Sequence, residues 1–196
     1  MKNKSLIIIA IFALIAIYGC SSQDIAFKQG IKKINKLDEE FGATMKIPPN
    51  LTEKIDGLLV QLTGFRAAGE DTPKALEYIL DFRIKSLEAE KLHIDGWQWG
   101  RGSTTDWGFG CRKGSARVLN SSKIRNMSAQ KGYEAIDILQ SLVDEFPNEA
   151  KSVDLTQKDL LFLNAAYQQV EEKARKDARI ISSLCKEQIK ELNITI

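Results

Sequence analysis

Apolar residues recur every three or four positions through most of the chain beyond residue 22, which is the period of a helix with one buried face. From Ser22 to Phe41 the stripe runs through Ile25, Phe27, Ile31, Ile34, Leu37 and Phe41. Lys28, Lys32, Lys33 and Lys36 fall between those positions. The run MKIPPN then ends the pattern, because consecutive prolines remove backbone donors and push the preceding residue out of helical geometry. Asn50 and Glu53 have the spacing of a capping pair, and Leu51, Ile55, Leu58, Leu59, Leu62 and Phe65 predict a second buried face. After AAGEDTP, with Thr72 as expected N-cap and Pro73 as first helical residue, Leu76, Ile79, Leu80, Ile84 and Leu87 predict a third helix over 75–92.

The segment 95–115, DGWQWGRGSTTDWGFGCRKGS, interrupts this regularity. It holds all three tryptophans and six of the thirteen glycines, and is expected to be irregular. Residues 115–127 carry only modest anchors in Val118, Leu119 and Ile124. Ser128 is placed to cap a clearer helix that buries Tyr133, Ile136, Leu139, Leu142, Val143 and Phe146, with Pro147 as its stop. The final stripe, Leu160, Leu163, Tyr167, Val170, Ala174, Ile181 and Leu184, predicts one long helix over 156–192 that needs a partner for its apolar face. The expected fold is all-α: a bundle of about five helices with a long C-terminal helix and one irregular Gly/Trp-rich segment.

The first residues stand outside that fold. Lys2 and Lys4 precede an apolar run from Leu6 to Tyr18, short for a membrane span but right for the core of a signal peptide. The ending Ile17-Tyr18-Gly19-Cys20 resembles the lipobox of bacterial-type lipoproteins. That resemblance implies removal of residues 1–19, diacylglyceryl attachment (with palmitate-type chains) at Cys20, and a place on the extracytoplasmic face of a membrane, the outer membrane where the source has two; a simple N-terminal anchor with Cys20 uncleaved is the alternative, and the length of 20–196 suits a single domain. The lysines after Cys20 suggest an added contact with anionic headgroups, a solvated helix face being the alternative. A second, local resemblance lies in KGYEAIDILQSLVDEFPNEA, where Gly132, Tyr133, Ala135, Ile136 and Pro147 are similar to part of a tetratricopeptide repeat. No matching unit precedes it at the repeat distance, so no repeat array is expected.

Removing residues 1–19 takes away two lysines and no acid, leaving 26 basic and 26 acidic side chains. A neutral domain lacks the global footprint of a nucleic-acid binder. With Cys20 acylated, Cys111 and Cys185 are the remaining cysteines, and in an oxidising compartment such a pair reads as a disulfide, with buried free thiols as the alternative.

Candidate chemistry is sparse. The glycines around Phe109 lack the spacing and the Gly-Lys-Ser/Thr ending of a phosphate loop, and no cofactor is expected. With one histidine and no CxxC or HExxH, no metal site is expected either. His93 with a nearby acid would be needed for a hydrolase acting on an envelope polymer, but no family signature surrounds it, and no catalytic residue is assigned. Local charge is more suggestive: between Asp106 and Glu134 there is no acid, while Arg112, Lys113, Arg117, Lys123, Arg125 and Lys131 are present. Trp97, Trp99, Arg101, Trp107, Arg112 and Lys113 are therefore the candidate ligand residues, aromatic faces beside cations suited to an anionic glycan or similar ligand. The competing expectation is a packing plug, with the tryptophans folded onto a bundle end and the cations paired with acids of 137–149 and 171–177. A non-catalytic binding or scaffold module is the leading functional expectation, with helix 156–192 as a surface for a protein partner.

Overall fold

The computed structural model describes residues 23–37, 39–40, 51–68, 72–101 and 111–191. The signal-like segment with Cys20, the Asn50 cap and Trp107 lie outside the described residues. Among the described residues the fold is all-α and no strand occurs. Helix α1 covers residues 23–37, followed by α2 (Leu51–Ala67), α3 (Lys74–Arg101), α4 (Cys111–Glu145), α5 (Pro147–Ser152), α6 (Gln157–Leu184) and α7 (Lys186–Glu191).

Helix α4 is the axis of the molecule, with α3 and α6 packed antiparallel along it. Its C-terminal end meets the start of α3, where Glu145 accepts from Lys74 Nζ at 2.7 Å and from the Tyr78 hydroxyl at 2.8 Å. Further along, Ser128 on α4 donates to the Ala89 carbonyl of α3 at 2.7 Å, and Ser121 donates to the Gly96 carbonyl at 2.6 Å. Helix α6 is tied to α4 by Tyr133–Glu171, by Arg125–Asp177 and, at the far end, by Cys111–Cys185. On the opposite side α2 packs on α3, with Arg66 reaching Asp81 and Glu77, and Lys91 reaching Asp56.

The main core gathers at the end where α1 and α2 join the bundle. Phe27 and Ile34 of α1 meet Ile55, Leu58 and Leu62 of α2, Leu76, Ile79, Leu80 and Leu87 of α3, and Leu139 and Leu142 of α4. Each such fully buried aliphatic side chain contributes roughly 1.5–3 kcal/mol. A smaller cluster of Leu119, Ile181, Cys185 and Ile189 closes the other end. Between the two the interior is polar: Ser121, Ser122, Arg125 and Ser128 are all buried on α4.

Three expectations require correction. Helix α3 does not stop near Leu92; it runs through Trp97 and Trp99 to Arg101, so residues 95–101 and 111–115 of the segment expected to be irregular are helical, and 102–110 lie outside the described residues. Gly96 and Gly100 do not break the helix, because both lie against α4. A Cβ on Gly96 would come within 2.8 Å of Arg125 Cγ, and one on Gly100 within 3.0 Å of Ser121 Oγ. Close packing there offsets the ~1 kcal/mol helical cost of each glycine. Second, α4 runs unbroken from Cys111, and Ser128 is not its cap but a mid-helix residue bonded across to α3. Third, the expected helix over 156–192 kinks at Cys185, the residue joined to α4, and continues as α7.

The start of α6 shows local encoding at its clearest. Thr156 has extended backbone, and the Asp159 carboxylate accepts from its backbone N–H at 2.8 Å and its hydroxyl at 2.6 Å, a capping box. The stripe Leu160, Leu163, Tyr167, Ala174 and Ile181 is used internally, against α4 and the core. Leu161 and Phe162 remain exposed at the head of that helix.

Candidate functional site

The small residues of the α3–α4 seam determine what the disulfide end displays. Gly96 and Gly100 face Ser121 and Arg125, so the α3 backbone lies close to α4. Trp97 and Trp99 each stand one position from a seam glycine, roughly 100° around the helix in opposite senses. Neither indole can enter the seam, and both remain about half exposed, at 52% and 50%. Ile180 and Leu184, on the last turns of α6, are exposed at the same end. Monomeric proteins seldom gather large apolar groups at one exposed location without a binding role.

A shallow concavity of about 360 Å³ opens beside the seam, lined by Asp95, Gln98 and Trp99 of α3 and Arg117 of α4. It combines an aromatic face, a guanidinium, a carboxylate and an amide, the groups used to hold a polar ligand by stacking and hydrogen bonds. The end is fixed by Cys111 and Cys185, whose sulfurs lie at bonding distance, 2.03 Å, with Cα atoms 5.3 Å apart.

Deeper along the bundle a charged layer joins three helices. Arg125 is only 9% exposed; its guanidinium donates to Asp177 on α6 at 2.7 Å and to the Ser121 carbonyl at 3.4 Å. His93 on α3 is solvent-accessible, but partial burial holds its pKa below 6.5, followed in effect by the Arg125 cation and then by Lys173, while Glu90 opposes the shift. The imidazole is therefore neutral near pH 7. Tyr167 of α6 lies over Gly132 of α4, and burial raises its phenol pKa, with Glu90 adding to the rise.

Of the expected ligand residues, Trp97 and Trp99 come together at this end. Arg101 is the last residue of α3, and Arg112 and Lys113 lie in the first turn of α4, so the backbone places all three nearby; their side chains lie outside the described residues, as does Trp107. Among the described residues, two cations of the basic run are paired with acids. Arg125 is committed to Asp177, and Lys131 pairs with Glu134 at 2.8 Å and lies 3.8 Å from Glu88. Of these pairs only Arg125–Asp177 uses an acid of the expected 137–149 and 171–177, since Glu134 and Glu88 lie outside those ranges, and Trp97 and Trp99 are half-exposed where a packing plug would bury them. Sequence reasoning missed Asp95, Gln98 and Arg117 as a lining set, because it depends on the α3–α4 register. The available signal was the Gly96/Gly100 spacing of four, which marks one helix face.

Among the described residues, no three His, Cys, Asp or Glu side chains converge as metal ligands, and no helix is long and apolar enough to cross a membrane. These features define an antiparallel helical bundle with a polar middle layer and an aromatic end closed by a disulfide. No protein-family model matches the chain, and comparisons with curated proteins and with solved structures found no match.

Proposed function

We propose that the protein is a non-catalytic binding module, held at the extracytoplasmic face of a membrane by a lipid on Cys20, that engages its partner through the disulfide-closed end. The observation that carries this reading is the half-exposure of Trp97 and Trp99 on either side of a tight seam, beside the concavity of Asp95, Gln98, Trp99 and Arg117. The lipobox-like ending Ile17-Tyr18-Gly19-Cys20 supports the anchor. Photo-crosslinking from positions 97 and 99 in native membranes tests the surface: discrete adducts absent from a probe at Val60 on α2 support it, and identical patterns from all three positions refute it. Loss of membrane partitioning in Cys20→Ser tests the anchor separately.

Arg117 in the lining favours one more specific version, a receptor for an anionic glycan. Tryptophan fluorescence titrated with acidic and neutral oligosaccharides distinguishes it; a saturable change with the acidic series, lost in Trp99→Ala, is expected. No change with any member of the series removes this version. The hydrolytic reading gains no support, since the charged neighbours that shift His93 are mainly cations.

A further inference from the structure

We propose that the outward face of α1 is a docking surface for anionic phospholipid headgroups, an inference that rests on the lipid anchor proposed above. Helix α1 buries Phe27, Gly30 and Ile34 against the bundle, which turns Ile25, Lys28, Lys32 and Lys36 away from it. Lys28, Lys32 and Lys36 recur at intervals of four and are all exposed. Ile25 is 56% exposed among them, and Asp24 and Gln29 are exposed on the same turns. Lys33 lies apart from the other three, its ammonium 3.9 Å from the centre of the Phe65 ring on α2. Lys36 lies 3.8 Å from Glu40, so Lys28 and Lys32, nearest the anchor, carry the proposal.

Chain length brings the contact within reach once Cys20 is acylated. Two residues separate Cys20 from Gln23, the first described residue of α1, and those three Cα–Cα steps span at most ~10 Å. The lysines begin about a turn and a half further on. The start of the helix is therefore held near one Debye length of the surface, where an anionic leaflet attracts each lysine. The packing of α1 places this face at the core end of the bundle, where Gly30 abuts Leu76 near the start of α3. Trp97 and Trp99 are 21 and 23 residues further along α3, roughly 30–35 Å away at the helical rise. Docking through α1 thus leaves the tryptophan end free for a partner while the lipid holds the chain.

The test uses the full lipoprotein purified from membranes and reconstituted into vesicles of phosphatidylcholine, with or without phosphatidylglycerol. An impermeant amine-reactive reagent and peptide mass spectrometry report the labelling rate of each lysine. Lys28 and Lys32 are expected to react about tenfold more slowly with phosphatidylglycerol present and to recover in ~1 M salt, as screening of a headgroup contact requires. Lys158, exposed at the start of α6, serves as reference and is expected to be unchanged. Equal rates in the two vesicle types at all three lysines overturn the proposal. The mass of the Cys20 peptide reports acylation in the same experiment. If Cys20 carries no lipid, the chain is added to preformed vesicles. Sedimentation with phosphatidylglycerol vesicles only, weakened roughly thirtyfold by Lys28→Gln with Lys32→Gln, then still supports the face, and absence of binding overturns it.

Discussion

Removing the Cys111–Cys185 link tests how the tryptophan end is held. Cys111→Ala with Cys185→Ala leaves no buried hydroxyl and opens a loop whose ends are 74 residues apart. By chain-entropy reasoning, a link of that separation stabilises by about 4.5 kcal/mol. Among the described residues, α7 and the end of α6 pack on the bundle through a small cluster, Leu119, Ile181, Cys185 and Ile189, with Val118 and Ala178 at its margin. For a domain of this size, a loss of that amount lowers the midpoint by roughly 9–18 °C. Thermal and urea melts followed by circular dichroism measure it, with intact helix content in the double variant as the control. Tryptophan fluorescence follows the end itself, and a red shift preceding global unfolding is expected. A midpoint within ~2 °C of the parent, for the variant and for the reduced parent, would refute the reasoning.

Other expectations follow from single contacts. Gly132→Ala places a methyl where the Tyr167 ring lies and is expected to cost about 1–3 kcal/mol, partly restored in the double variant with Tyr167→Ala; an unchanged urea midpoint rejects it. Thr156→Ala removes one side of the α6 capping box at a cost of about 1 kcal/mol, and no change in melting argues against that box. The Asp159 carboxyl, held below its ordinary pKa first by the Thr156 hydroxyl and next by the Thr156 N–H, stabilises the fold above its unfolded pKa. That contribution is lost as pH falls through the folded value, so Asp159→Asn is expected to flatten part of the acid limb. His93 has the same sign for a different reason: its folded pKa lies below 6.5, so folding favours the neutral ring and stability falls as pH drops from about 6.5 through the folded value. NMR titration of the sole imidazole checks this, and a pKa at or above 6.5 contradicts it.

The helical stripes were legible because each repeats over several turns and buries one face. Leu51 to Phe65, Leu76 to Leu87 and Leu160 to Ile181 all pack as their spacing requires. Element ends were less legible wherever tertiary contact outweighs local preference. Gly96 and Gly100 read as breakers in isolation, yet they are the points where α3 touches α4. Ser128 reads as a cap, yet its hydroxyl serves the Ala89 carbonyl of the neighbouring helix. The disulfide pairing was expected from the cysteine count and the compartment that the lipobox resemblance implies, and the Sγ atoms lie at bonding distance. Exposure of Trp97 and Trp99 was not legible, since composition alone cannot say which side of a helix two residues occupy until the seam beside them is known.

The central claim is that the tryptophan end is where this protein binds. Site-specific photo-crosslinking at positions 97 and 99 of the full-length chain tests it most directly, with Val60, exposed on α2, as the control. The account predicts discrete adducts from 97 and 99, lost on reduction of Cys111–Cys185, and none of them from 60. Adducts independent of probe position, or absent from 97 and 99 while present at 60, would contradict it.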